Sequence, residues 1–137
     1  MTVVLVDHLY HHHLDQLIHE SHGHLNFIPV DFRIEDLLIK KHLPEAFAII
    51  GRVDPTENQY EKAKNLKLIQ TLSAGFEEVS LDRAQKHDVQ VANNNGANAV
   101  SVAEHVLMQM LALYRQLLFH HQSVCDGPWE NRKMKNR

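Results

Sequence analysis

The chain has 137 residues, 44% apolar and 23% charged, with a formal net charge of -3. That is enough for one domain with a real core, and the charge balance gives no basic footprint for nucleic acid. No apolar run approaches the ~20 residues of a membrane span, the start "MTVVLVDHLYHHH" lacks the basic region of a signal peptide, and the single Cys125 cannot form an internal disulfide, so a soluble cytoplasmic chain is expected.

Taken in order, short apolar runs alternate with helical stretches. "VVLV" (3–6) is a β-branched run of the kind a strand covered on both faces requires, and Asp7 ends it. Leu9, Leu14, Leu17 and Ile18 then share a helix face as far as His22, and Gly23 stops the helix. "LNFIPV" (25–30) reads as a second strand, with Pro29 placing it at an edge or at its own end. A short helix follows over 34–43, broken by Pro44, and "AFAII" (46–50) is a third strand closed by Gly51. Pro55 and Thr56 open a mostly polar helix over 55–65. "LKLIQTL" (66–72) is a fourth strand, followed by the turn "SAGFEE", a helix over 81–88 and a fifth strand "VQVA" (89–92). One long helix runs from Asn98, its expected N-cap, to Phe119.

Strands alternating with helices imply a parallel sheet with right-handed crossovers. At this length the simplest closure is α/β: a flavodoxin-like, doubly wound, five-stranded parallel sheet with a long C-terminal helix. Function in such sheets collects at the carboxyl ends of the strands: Asp7, Gly51-Arg52, Ser73 to Phe76, and Asn93 to Asn98. The five glycines (23, 51, 75, 96 and 127) permit neither a G-x-G-x-x-G fingerprint nor a P-loop. The first strand runs instead into "DHLYHHH", whose side chains would crowd a phosphate. A self-sufficient dinucleotide site is not expected.

At the end of the fourth strand, Ala74 and Gly75 combine a small residue with a glycine, which lets backbone N–H groups converge on an anion. A tight turn with no ligand is the plainer alternative. Arg52, at the adjacent strand end, either adds charge to that anion or points into water.

The stretch "LKLIQTLSAGFEEVSLDRAQKHDVQVANNNGANAVSVAEHVLMQMLALYRQL" (66–117) resembles the N-terminal half of the NAD-dependent D-2-hydroxyacid dehydrogenases. The likeness is carried in order by Leu66-Lys67, Ala74-Gly75, Ala84, Val91, Asn93, Gly96, Asn98, Ser101 to His105, Arg115 and Trp129. It implies that Ala74, Gly75 and Phe76, with Arg52, hold a substrate carboxylate. It also implies that residues 93–102 form the first crossing between a substrate lobe and a cofactor lobe. Asn98, Ser101 and Val102 would then face substrate or nicotinamide, although for Asn98 plain helix capping remains open. Glu104-His105 reads as fixing the helix rather than moving a proton. The implied substrate is a small 2-hydroxy or 2-keto acid, and the intact enzyme would use NAD or NADP.

Departures from the pattern bear on function. Glu77-Glu78-Val79-Ser80 stands where the family has acidic residues with Asp at the first and last positions, and Asn95 stands where proline is frequent. The family's Arg, Glu and His of catalysis lie in the cofactor half, so no catalytic residue is assigned here. Residues 1–119 are expected to form the substrate lobe and 120–137 a linker toward a cofactor domain absent from the chain. Tight binding of NAD to this chain is therefore not expected.

The twelve histidines form two clusters, at 8–13 and 19–24, without an H-E-x-x-H motif, and read as surface histidines with no metal site. Two readings compete with the dehydrogenase lobe. A receiver module would need an acidic pair after the first strand and a lysine after the fifth, where Asp7 stands alone and Asn93-Asn94 replaces the lysine. A degenerate partner subunit would keep the lobe and lose the chemistry. The long helix repeats Val102, Val106, Met110, Leu111, Tyr114 and Leu118 at 3–4 spacing, with Leu113 and Phe119 on another side, so self-association through it is expected.

Overall fold

The computed structural model describes residues 1–34 and 37–127. Glu35 and Asp36 of the helix expected over 34–43, and residues 128–137 of the expected linker with Trp129, lie outside the described residues. The described chain divides into two units, residues 1–95 and the segment from Gly96 onward.

The first unit is built on β1 (Thr2–Asp7), whose residues 3–7 are all buried. Its side chains alternate between faces, as a pleated strand requires. Val3 and Leu5 enter one core with Ile39, Leu43, Ile49, Tyr60, Ile69 and Ala84. Val4 and Val6 enter a second with Ala48, against which Leu14, Leu17, Leu25 and Phe27 pack. A strand buried on both faces must be apolar at consecutive positions, which is why "VVLV" shows no alternation of polarity.

The remaining strands are β2 (Leu25–Val30), β3 (Ala46–Ile50), β4 (Leu68–Gln70) and β5 (Gln90–Ala92), in the order β2-β1-β3-β4-β5. Every pairing is parallel. The fold class is therefore the one read from the sequence, with a switch point between β1 and β3 where the order reverses. Pro29 sits in β2, an edge strand, where its missing N–H leaves no ladder bond unmade.

Helices cover both faces. A 3-10 segment (His8–His13) and α1 (Leu14–Glu20) lie on the side of Val4 and Val6; α2 (Leu37–His42), α3 (Glu57–Lys62) and α4 (Leu81–Lys86) lie on the other. The expected helix over 9–22 thus opens as a 3-10 segment, and Asp7 caps it by accepting the Leu9 N–H at 2.9 Å. His22 and Gly23 take positive φ and end the segment. Thr56 and Gln59 exchange hydrogen bonds in a capping box at the start of α3. Tyr60 of α3 stacks on His87, with ring centroids 4.9 Å apart. Burial, with Asp54 adding to it, pushes the Tyr60 hydroxyl up to about 12, so it is neutral at physiological pH.

In the second unit the single expected helix over 98–119 is two: α5 (Ala99–Tyr114) and α6 (Leu117–Asp126). The break falls at Gln116, which adopts a left-handed conformation with φ 51°. A non-glycine residue there costs about 1–2 kcal/mol, and it ends the hydrogen-bond ladder without glycine or proline. Helix α6 runs through residue 120, where a linker was expected to begin. Among the described residues, no helix is long and apolar enough to cross a membrane.

The ends of β1 and β3 pack closely at Gly51. A Cβ added to Gly51 would stand 2.5 Å from Cβ of Asp7 and 3.3 Å from Cγ2 of Val53. Neither neighbour is the end of a flexible chain, so the ends of the two strands would have to part. Gly51→Ala is expected to cost about 2–3 kcal/mol. A urea midpoint equal to that of the parent chain would contradict this packing.

Candidate functional site: the carboxyl edge of the sheet

Parallel strands deliver all their carboxyl ends to one edge, and the first unit gathers Asp7, Gly51-Arg52 and the Ser73–Phe76 turn there. The turn is closed by short polar side chains. Thr71, 1% exposed, places Oγ1 3.1 Å from the Ser73 carbonyl and 3.3 Å from the Gly75 carbonyl. Ser73 Oγ donates to the Gly75 carbonyl at 2.8 Å. The segment after β5 supplies the rest: Asn94 N–H donates to the Ser73 carbonyl at 3.0 Å, and Asn93 Nδ2 to the Ala74 carbonyl at 2.6 Å. The Phe76 carbonyl accepts from the Val79 N–H at 2.9 Å.

All four carbonyls from Ser73 to Phe76 are therefore engaged within the protein. Among the described residues, the four N–H groups of the same stretch donate to no protein acceptor. Backbone amides left unpaired while their carbonyls are turned inward give a turn a positive surface. This turn can accept an anion without breaking any bond it already makes.

Gly75 is not held to glycine by its backbone conformation. It keeps an ordinary φ, so no left-handed conformation demands glycine. A Cβ there would meet only the end of the flexible Glu77 side chain, whose carboxylate folds back over Gly75 and can swing aside. Phe76 is 43% exposed and offers an apolar surface beside the turn.

Arg52 lies at the same edge, and its Nη2 donates to Glu78 Oε1 at 2.5 Å. The pair links the end of β3 to the chain just beyond the turn. Beside it opens a cleft of about 450 Å³, lined in part by Asp7, Arg33, Arg52, Asp54 and Glu78. Arg33 pairs with Asp31, whose carboxyl it holds down at about 2 chiefly through a side-chain hydrogen bond. Asp54 accepts from Arg83 and from the Ser80 N–H. At the start of α3, Lys86 and His87 from the end of α4 converge on Glu57 and lower its pKa, Lys86 being the larger cause.

The edge does not fit a dinucleotide. At the switch point, where a pyrophosphate would use a glycine-lined turn and a helix N-terminus, the Asp7 carboxylate already accepts the Leu9 N–H. It is 3% exposed, and Asp54 and Glu78 line the same cleft, each paired with an arginine. Among the described residues, no three His, Cys, Asp or Glu side chains converge as metal ligands would.

The structure brings Arg52, Ala74, Gly75 and Phe76 to one edge of the first unit. Asn98, Ser101 and Val102 belong to the second, at the start of α5, where all three are exposed. Asn98 stands at the N-cap position, and its carbonyl accepts from the Val102 N–H at 2.9 Å. Its side chain makes no capping bond: with φ −112° and ψ 7° the residue is not in the extended conformation from which caps reach back. The sequence reading passed over Thr71 and the side-chain roles of Ser73 and Asn93. Their signal was small polar residues just past two adjacent strands, the positions from which a hydroxyl or amide reaches a turn.

Comparison with known proteins bears on what such an edge serves. The model of the catalytic domain of D-isomer-specific 2-hydroxyacid dehydrogenases matches residues 3–127. The chain is 36% identical over 114 residues to the mitochondrial formate dehydrogenase of Solanum tuberosum, a match covering 80% of this chain and 30% of that protein. It is 35% identical over 114 residues to the formate dehydrogenase of Pseudomonas sp. (strain 101), covering 80% of the chain and 28% of the relative. The structure of NAD-dependent formate dehydrogenase from Staphylococcus aureus, solved with NAD, matches with a TM-score of 0.60 and 29% identity, over 97% of this chain and 44% of that one. A D-isomer-specific 2-hydroxyacid dehydrogenase from Lactobacillus delbrueckii ssp. bulgaricus shares the fold with a TM-score of 0.69 at 15% identity, over 98% and 43% of the two chains. The chain thus spans about a third of the length of the curated relatives it matches, and with its parallel sheet and its family match over residues 3–127 it belongs to the D-isomer-specific 2-hydroxyacid dehydrogenase family.

Proposed function

We propose that this chain is the substrate-side lobe of an NAD(P)-dependent dehydrogenase of small 2-hydroxy, 2-keto or related one-carbon acids. Its task is to hold the carboxylate on the amides of Ser73 to Phe76. The observation that carries this reading is the inverted bonding of the turn: four carbonyls engaged inside, four N–H groups unengaged. Family membership and the formate dehydrogenases among the relatives support the acid as the ligand. Phe76 supplies an apolar wall, and Asn98, Ser101 and Val102 are proposed to face the reacting carbon or the nicotinamide in the intact enzyme.

The chemistry itself, hydride transfer between the cofactor and the carbon bearing the oxygen, is proposed for the intact enzyme and not for this chain alone. A small carboxylate held by a few amide hydrogen bonds binds at about millimolar strength. Titration of the labelled chain with sodium glyoxylate is expected to shift the amide resonances of residues 73–76 first and most. Shifts confined to other segments would remove the basis of the reading.

Cofactor binding is proposed to need protein beyond these residues, because the β1–β3 switch point carries acids in place of a glycine turn. Calorimetric titration with NAD is expected to show no binding tighter than millimolar. Micromolar binding would mean that the lobe has been misassigned.

The exposed apolar side chains of α5 and α6, among them Val102, Leu107, Met110, Leu111, Leu113, Tyr114, Leu118 and Phe119, support self-association as a further property. Light scattering is expected to show a mass that rises with concentration. A constant monomer mass at high concentration would refute it.

A further inference from the structure

We propose that Glu78 is a specificity residue: by occupying Arg52 it leaves the Ser73–Phe76 turn with amide hydrogens but no available cation among the described residues, so the site selects acids bearing one negative charge over dianions. This inference rests on the turn being the carboxylate site.

The charges along this edge are matched in pairs. Arg52 is held by Glu78 at 2.5 Å, Arg33 by Asp31 at 3.1 Å, and Arg83 by Asp54. Two acids are left over. Asp7 is buried beside His8, 3.2 Å from its Nδ1. Glu77 has no cationic partner among the described residues, and its carboxylate lies over Gly75 in the turn itself. The amides can satisfy one carboxylate through hydrogen bonds, a local interaction that tolerates a modest negative field. A second carboxylate on the same small acid has no such partner. It would meet Glu77 and a guanidinium that Glu78 already neutralises.

The Arg52–Glu78 pair is well suited to set this preference. Its side chains are 47% and 54% exposed, so the pair adds little to stability. Changing Glu78 alters the charge offered to ligand without removing a part of the core. A unit charge beside an anion site, partly screened by water, shifts the affinity of a charged ligand by about three- to tenfold.

Glycolate and tartronate test the idea, since they share the hydroxy-acid carbon and differ by one carboxylate. Amide titrations of the full chain at neutral pH and constant ionic strength give both dissociation constants. Tartronate is expected to bind at least about threefold more weakly than glycolate. Glu78→Gln, which frees Arg52, is expected to improve tartronate relative to glycolate by about three- to tenfold, whereas Glu78→Asp, which keeps the charge, retains the parent ratio. The dispersion of the amide spectrum reports whether each variant is folded. If glycolate shifts residues 73–76 but the ratio is the same in Glu78→Gln, the specificity role is wrong and the carboxylate site stands. If tartronate outbinds glycolate in the parent chain, the role is likewise wrong. If neither acid shifts residues 73–76, both readings fall together.

Discussion

Two-sided burial of β1 is the constraint on which the rest of the first unit depends. Val3 and Leu5 fill one core, Val4 and Val6 the other, and no single layer of helices can cover both. Helices must therefore lie on each face, and parallel neighbours joined by crossovers are the arrangement that puts them there. Once the strands are parallel, their carboxyl ends share an edge. The order β2-β1-β3-β4-β5 then sets Gly51 directly against Asp7 and brings the residues after β5 onto the turn after β4. The site is a consequence of the sheet.

What the edge can do follows from how its backbone groups are spent. A turn whose carbonyls are satisfied by Thr71, Ser73, Asn93, Asn94 and Val79 has nowhere to direct its N–H groups except outward. At the same edge Asp7 spends its carboxylate on the start of the 3-10 segment that follows β1, accepting the Leu9 N–H. The β1–β3 end of the edge carries the buried Asp7 carboxylate, while the β4 turn carries amides with no acceptor among the described residues.

Much of the fold was legible in the sequence because it rests on local rules. The limits of β2 and β3 coincide with the apolar runs 25–30 and 46–50, since Gly, Pro and charged residues punctuate both. The cap at Thr56 and the edge position of Pro29 follow from one missing or supplied hydrogen bond each. The fourth strand is shorter than its apolar run: Leu66 is buried as core, yet the β4 ladder covers Leu68–Gln70 alone. Apolar pattern reports burial, and burial extends beyond strand pairing. Among site residues, Ala74 and Gly75 were legible as a turn, while the Glu77 carboxylate folded back over Gly75 was not.

By itself the sequence determined the alternation of strands and helices, the two-faced burial of the first strand, the absence of a dinucleotide fingerprint and the family likeness of residues 66–117. These depend on residue type and spacing, which one chain states directly. Tertiary structure decided that Arg52 is taken by Glu78, that Thr71 and Asn93 tie the turn from two strands, and that the last helix breaks at Gln116. The Arg52 and Asn93 contacts depend on which groups meet across 26 and 19 residues, and the Thr71 bonds and the Gln116 break on a backbone path that no residue type announces. Spacing along a chain sets what can form locally; only the folded sheet sets which polar groups are left with a partner.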